Sequence, residues 1–252
     1  MATYIMSDLH GMKAEFDMML HKINFSDNDE LYILGDVIDR GPCGADLLMQ
    51  IMDMPNVHLL MGNHEAMLQE VVHTEADSPE EADANDLWCY NGGYTTAYNL
   101  QEYSLAEQQK IFDFIDELPY EADITVNGKK YRLVHAAPHE IADICRYPVD
   151  VNEIMVWDRK RMANPQFRRK LKKMLPDTTI IVGHTPTANI DNGDGKIVHS
   201  DNIMYIDCGC AILASHPEVN YANLGCIRLD DMQEFYVSSI CKRNINQREV
   251  TA

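Results

Sequence analysis

Positive charge is scarce in this sequence. Its 252 residues carry 21 Lys and Arg against 40 Asp and Glu, a net charge of −19. Nucleic-acid binding relies on Lys and Arg to neutralise phosphates, so no nucleic-acid partner is expected. An anionic membrane surface is disfavoured for the same reason. A phosphate compound remains open as substrate, provided that metals or a few arginines supply local positive charge. Long apolar runs are also missing, and none reaches the roughly 18 residues that a membrane span needs. The opening "MATYIMSDLHG" has no charged lead-in and no long apolar segment. It reads as a first strand and not as a secretion signal. The seven cysteines are odd in number and form no CxxC. That excludes a disulfide framework and points to reduced thiols in a cytoplasm. Cys208 and Cys210, the closest pair, are expected to be small buried fillers and not metal ligands. There is no Pro- or Ser-rich linker, no repeat and no low-complexity tract. With 46% hydrophobic residues, one domain over 1–252 is the simplest organisation.

What is present is a series of short apolar runs. "TYIM", "ELYILG", "NVHLLMG", "KYRLVH", "TTIIVGH", "NIMYID", "LGCIRLD" and "EFYVSS" read as strands. Helical patterns separate the early ones, from Met12 to Ile23, Asp46 to Met54 and Glu65 to Val72. This β-α alternation predicts a parallel, doubly wound sheet in the first half. Residues Leu87 to Leu118 look mostly helical, and Tyr120 to Arg132 looks like a hairpin around "NGK". The last third is strand-rich, so the fold class is α/β, with mixed sheets and helices outside. From His73 to Asp86 lie six acids and no Lys or Arg. A solvated loop or frayed helix is the ordinary expectation there. A lid or specificity insert, within a helical segment around 73–118, is the functional one.

The strand ends carry the chemistry. "TYIM" runs into Asp8 and His10, "ELYIL" into Asp36, "NVHLLM" into Asn63 and His64, "YRLV" into His135, and "TIIV" into His184. In open α/β sheets, ligands bind beyond the carboxyl ends of the strands, where residues distant in sequence meet. Asp8 and His10 are two apart, so an extended chain would point them the same way. Each residue has an ordinary alternative: Asp8 and Asp36 as helix caps, Asn63 as a left-handed turn residue, any histidine as core or surface. Five successive strand ends of this kind favour a metal site. The donors are imidazole, carboxylate and amide without thiolate, which suits Mn, Fe or Zn. They outnumber what one tetrahedral ion needs, so two ions sharing a carboxylate are expected.

"SDLHG", "GDVIDRG", "GNHE", "VHAA" and "VGHT" resemble the signature of the PPP family of calcineurin-like metallophosphoesterases, GDxHG, GDxVDRG and GNHE followed by separate histidines. "WCYNGG", "VWDRKRM" and "MYIDCGC" are similar to its bacterial and phage branch. Ser7 stands in place of Gly, Ile38 in place of Val, and Met61 where many members have Arg. The resemblance implies a four-layer α/β sandwich, with two central mixed sheets flanked by helices and two divalent transition metals, most readily manganese. It places Asp8, His10 and Asp36 on one metal and Asp36, Asn63, His135 and His184 on the other. Arg40 and Arg159 would bind phosphate, with Arg161 the competitor of Arg159. Asn91 would touch substrate.

The implied reaction is in-line attack of a metal-activated hydroxide on a phosphomonoester, without a phosphoenzyme. His64 would protonate the leaving group, with Asp39 paired to it. A phosphorylated protein, by way of its phosphoserine or phosphothreonine, is the first expected substrate. A small phosphoester such as diadenosine tetraphosphate, split by a symmetrical hydrolase of the same family, is the second. Those hydrolases tend to lack the acid before Arg and to carry GNHD. Asp39 and Glu65 therefore favour the first. A metal-free binding protein on the same fold would have lost a ligand, and every ligand position here is filled.

Overall fold

The apolar runs become strands close to where the pattern sets them. In the computed structural model, residues 1–190, 193–216, 219 and 221–239 are described. The strands are β1 (Thr3–Met6), β2 (Glu30–Ile33), β3 (Val57–Leu59), β4 (Glu121–Val126), β5 (Lys129–Val134), β6 (Thr178–Val182), β7 (Val198–Ser200), β8 (Ile203–Tyr205), β9 (Asn223–Arg228) and β10 (Gln233–Ser238). The helices are α1 (Lys13–Lys22), α2 (Gly44–Met52), α3 (Asn63–His73), α4 (Pro79–Tyr90), α5 (Tyr94–Leu100), α6 (Leu105–Asp116), α7 (Glu140–Ile144), α8 (Val151–Trp157), α9 (Lys160–Ala163), α10 (Pro165–Met174) and α11 (Ile212–Ser215). The "NG" turn joins β4 to β5 as expected. Asn127 and Gly128 both have positive φ, the conformation a tight hairpin of that twist requires.

Two mixed sheets form, in the orders β10-β9-β1-β2-β3 and β4-β5-β6-β8-β7. The period-2 alternation of each strand assigns its faces. Tyr4, Met6, Leu31 and Ile33 face α1, α2, α3 and α6 in one core. Ile5, Leu34 and Ile227 meet Tyr131, Leu133, Ile181 and Met204 in a second core between the sheets. Val134, Ile180, Val182 and Tyr205 pack under α7, α8 and α10 in a third. Helices, sheet, sheet and helices make four layers.

Two expectations change. β1, β2 and β3 are parallel, but they lie side by side in chain order. Both crossovers therefore run the same way and deliver their helices to one face. The sheet is not doubly wound, because its other face is taken by the second sheet. The acidic stretch is a short loop over 74–78 and then a helix that is capped, not frayed. Ser78 Oγ accepts from Glu81 N at 3.0 Å, Pro79 opens α4, and Glu80 and Glu81 occupy its positive end. Among the described residues, no helix is long and apolar enough to cross a membrane.

Candidate active site

The chain leaves each central strand by a tight turn, and the turns are laced together. Asp8 N donates to Gly35 O, His10 N to Asp36 O at 2.8 Å, and Gly183 N to His135 O at 2.8 Å. Asp8, His10, Asp36, Asp39, Arg40 and His184 all take left-handed backbone conformations, with φ from 46° to 70°. Such a conformation costs a side-chain-bearing residue roughly 1 kcal/mol or more, and that kind of strain collects at functional sites. Asp8 and His10 are therefore brought together by turn geometry and not by extended periodicity. Gly35 and Gly62 let two turns press close: a Cβ on Gly35 would lie 2.5 Å from Gly62 Cα.

Glu65 holds this arrangement from beneath. Its buried carboxylate accepts from Asp36 N and Val37 N at 2.8 Å, from Gly62 N at 3.1 Å and from Ile38 N at 3.3 Å. Burial and the nearby Asp36 charge push its carboxyl up to about 7, against the pull of those N–H donors. Ser7 donates through its hydroxyl to Asp8, and Met61 is buried in the core below the helices. Two of the three departures from the family pattern thus take up quiet roles, and the third, Ile38, is a buried core residue.

Asp36 is the hub. His135 Nε2 lies 3.4 Å from it, His10 Nε2 3.6 Å and His64 Nε2 3.9 Å. Three histidines donate their far nitrogens to backbone carbonyls: His10 Nδ1 to Ile38 O, His135 Nδ1 to Leu34 O and His184 Nε2 to Trp157 O. That fixes the tautomers and turns three lone pairs inward. His135 Nε2 then faces Asn63 Oδ1 at 3.1 Å and His184 Nδ1 at 3.2 Å, acceptor against acceptor. A cation resolves such a convergence, so the residues fit a metal. Two overlapping ligand groups share Asp36: one with His10 and His64, the other with His135 and His184.

The electrostatics suit cations as well. Burial first, then neighbouring positive charge, holds His10 and His184 well below the usual imidazole range, so both are neutral donors. Burial lowers His135 too. Burial and the charges of Asp207 and Asp36 push Asp8 well up. Burial opposes ionisation of Asp36 but is outweighed by the four surrounding histidines, which hold its carboxyl down.

Above the hub, His64 Nδ1 donates to Asp39 Oδ2 at 2.6 Å. Asp39 is fully buried and also accepts from Trp88 Nε1 at 2.9 Å and Thr96 Oγ1 at 2.6 Å. Arg40 spans the two rings, Nη1 at 2.7 Å from His10 Nε2 and Nη2 at 2.9 Å from His64 Nε2. Its own N–H donates to Gly92 O. A cleft of about 470 Å³ opens there, lined in part by His10, Arg40, Asn91, Arg159 and Asp207. Tyr90 and Tyr94, both largely exposed, stand at its mouth. Arg159 Nη2 donates to His184 O at 3.0 Å, whereas Arg161 is tied to Asp158 at 2.5 Å. Of the two arginines, Arg159 is the one in the cleft. Asn91 lines the wall, with its amide donating to Leu87 O.

Every residue expected at the site is thus gathered around one cleft or directly beneath it. Three contributors escaped the sequence reading. Asp207 follows β8 as the other acids follow their strands, so "MYID" carried the signal. Burial pushes its carboxyl up to about 6, against the pull of Gly209 N–H. Trp88 opened the "WCYNGG" motif but with no role attached, and Thr96 carried no signal, because only the folded insert brings them to Asp39. Cys208 and Cys210 are buried thiols, and neither joins a metal-capable group among the described residues.

The sequence model of the calcineurin-like phosphoesterases matches residues 1–216. A serine/threonine-protein phosphatase 2 of Salmonella typhimurium is 28% identical over 183 residues, 72% of this chain and 78% of that protein. The protein of the same name from Escherichia coli is 32% identical over 53% of this chain and 57% of its own length. A symmetrical bis(5'-nucleosyl)-tetraphosphatase of Haemophilus ducreyi is 44% identical, over 27% of this chain and 26% of that protein. Among solved structures, a serine/threonine phosphatase from Saccharomyces cerevisiae superposes with a TM-score of 0.61 at 16% identity, over 94% of this chain and 79% of that one. That likeness speaks for the fold. The family match spans most of the chain and includes every candidate site residue. This chain therefore belongs to the calcineurin-like phosphoesterases, enzymes that cleave phosphate esters with divalent metals.

Proposed function

We propose that the protein is a dinuclear metal-dependent phosphomonoesterase acting on phosphoserine and phosphothreonine in proteins. Asp8, His10 and Asp36 would hold one ion, and Asp36, Asn63, His135 and His184 the other, manganese being the first candidate and iron or zinc its competitors. Bound there, two divalent ions acidify water and take up charge on the phosphoryl oxygens. Everything else falls to the chain. Arg40 and Arg159 meet the non-bridging oxygens, for which a planar guanidinium is the fitting partner. Asn91 stands at the cleft wall within the substrate's path. Protonated on both ring nitrogens, His64 would give its Nε2 proton to the departing alkoxide while Asp39 anchors Nδ1, once Arg40 Nη2, which donates to Nε2 at 2.9 Å here, turns to the phosphate. The helical segment 73–118 belongs to this catalytic unit, since it supplies Trp88 and Thr96 to Asp39.

The observation that carries the reading is the buried His64–Asp39 pair, 2.6 Å apart, beside the hub carboxylate. A monoester with an alkoxide leaving group needs such a proton donor more than a polyphosphate does, because the polyphosphate leaves as a stabilised anion. The Salmonella relative, matched over 72% of this chain, is named a serine/threonine-protein phosphatase, which supports the reading.

One observation favours a second reading, a symmetrical dinucleoside tetraphosphate hydrolase. Tyr90 and Tyr94 at the mouth offer rings on which bases could stack. Measuring kcat/KM on a phosphoserine peptide and on diadenosine tetraphosphate, both with manganese, decides between them. The phosphatase reading requires the peptide to be the better substrate. Preference for the dinucleotide would replace it with the second.

A further inference from the structure

Charge in this chain is segregated. The fifteen residues from Arg159 to Lys173 hold eight of its 21 lysines and arginines and none of its 40 acids, so a +8 segment sits in a chain whose remainder carries −27. The fold sets this segment against the catalytic cleft. A groove of about 870 Å³ is lined by the apolar Pro148, Val149, Trp157 and Phe167 and by Arg159 and Lys160, among others. Arg159 lines both this groove and the cleft, so the two are contiguous. From Asn164 and Phe167 on the groove wall, α10 carries Arg169, Lys170 and Lys173 outward, all exposed.

The partners of these charges matter. Arg161 is engaged by Asp158, Lys172 by Asp201, and Arg168 by Tyr205. Two acids on the groove wall are also engaged, Asp158 with Arg161 and Asp150 as the cap of α8, accepting from Glu153 N. Glu153, the third acid on the groove wall, is exposed in the first turn of α8. Arg159, Lys160, Arg169 and Lys173 form no ion pair within 4.0 Å among the described residues, and Lys170 lies over the Phe167 ring.

We infer that the exposed cations of α10, with Lys160 and Arg159 where the groove meets the cleft, take an acidic segment of the phosphoprotein substrate, next in sequence to the phosphorylated residue. The inference rests on the phosphoprotein reading above. The phosphate enters the cleft beside Arg159 while carboxylates of the same peptide meet Lys160 and the exposed cations of α10. The ten residues of α10 extend about 15 Å, which four or five residues of extended peptide cover. A short segment suits the patch better than a longer polyanion does. A nucleic-acid strand or an anionic bilayer would run past the patch and lie against a surface of the opposite sign, and screening at physiological salt acts only beyond about 8 Å.

The test is the triple variant Lys160→Glu, Arg169→Glu, Lys173→Glu, none of which touches the cleft. Its kcat/KM is compared with that of the wild type on three substrates. These are a phosphoserine peptide with Asp and Glu flanking, the same peptide with Asn and Gln in their place, and p-nitrophenyl phosphate. The acidic peptide should lose about tenfold, mainly through KM, which is the sum of a few exposed charge contacts. The neutral peptide and p-nitrophenyl phosphate should stay within about twofold, the latter also reporting an intact fold. The wild-type preference for the acidic peptide should shrink in high salt. Equal wild-type rates on both peptides, or equal losses in the variant, would overturn the groove assignment and leave the phosphatase reading standing. Cleavage of p-nitrophenyl phosphate and diadenosine tetraphosphate but of neither peptide would overturn both. Unchanged peptide kinetics, with lost binding to phosphatidylglycerol vesicles or to a single-stranded oligonucleotide, would assign the patch to another anion and overturn it too.

Discussion

At the scale of single residues, the three polar side chains of "GDVIDRG" have separate tasks. Asp36 is the hub between the two ligand groups, Asp39 anchors His64, and Arg40 faces the cleft. His64→Asn should lower kcat on an alkyl phosphate by about 10²–10⁴-fold and on p-nitrophenyl phosphate far less, since a good leaving group needs no proton. Equal losses on both would remove His64 from that role. For Asp39, alanine is a poor probe, because it leaves Trp88 Nε1–H and Thr96 Oγ–H buried without their acceptor. Each such orphan costs about 1–3 kcal/mol. Asp39→Asn keeps an acceptor in place and should slow alkyl phosphate cleavage without loss of bound metal, as turnover and metal analysis together would show. Asp207 gives a pH-dependent test. Its folded carboxyl is raised to about 6, above the unfolded value, so in chelated protein it costs stability as pH rises through that window. Asp207→Asn removes this cost. In urea titrations the variant should gain on the wild type between pH 4 and 7.

At the scale of elements, the α3 N-terminus is the piece on which the site depends. Glu65 ties the β2 and β3 turns together through four N–H groups. Glu65→Gln replaces an acceptor oxygen with a donor facing those N–H groups. It should destabilise the fold by about 2–4 kcal/mol, readable as a shift of the denaturation midpoint with unchanged slope. The strands and their polar ends were legible in the sequence because an apolar run that stops at Asp or His is a local signal. The order of β1, β2 and β3 was less so, since covering one face of the sheet with a second sheet is a long-range event. Asp8 and His10 were expected together for the wrong reason, because periodicity cannot report a left-handed turn. By charge the acidic stretch read as a loop or frayed helix, yet the Ser78-Pro79-Glu80-Glu81 segment within it is a capped-helix signal in its own right. Trp88 and Thr96 reach Asp39 only through the packing of α4 and α5.

At the scale of the whole molecule, the features depend on one another. A chain with net charge −19 buries Asp8, Asp36 and Asp207 in one place, which is costly unless cations share the site. Metal binding should therefore stabilise the fold. At a hundredfold excess over Kd each ion adds about 2.7 kcal/mol, and chelation should lower the melting temperature by several degrees or more. The central claim is that two ions share Asp36 and that phosphomonoester cleavage depends on both. Its most direct test is a manganese titration of chelated protein, following bound metal by calorimetry and p-nitrophenyl phosphate turnover in the same samples. The account predicts two ions per chain, activity complete only at the second, and loss of both binding and turnover in Asp36→Asn. Full activity with one ion bound, or activity untouched by chelation, would contradict it.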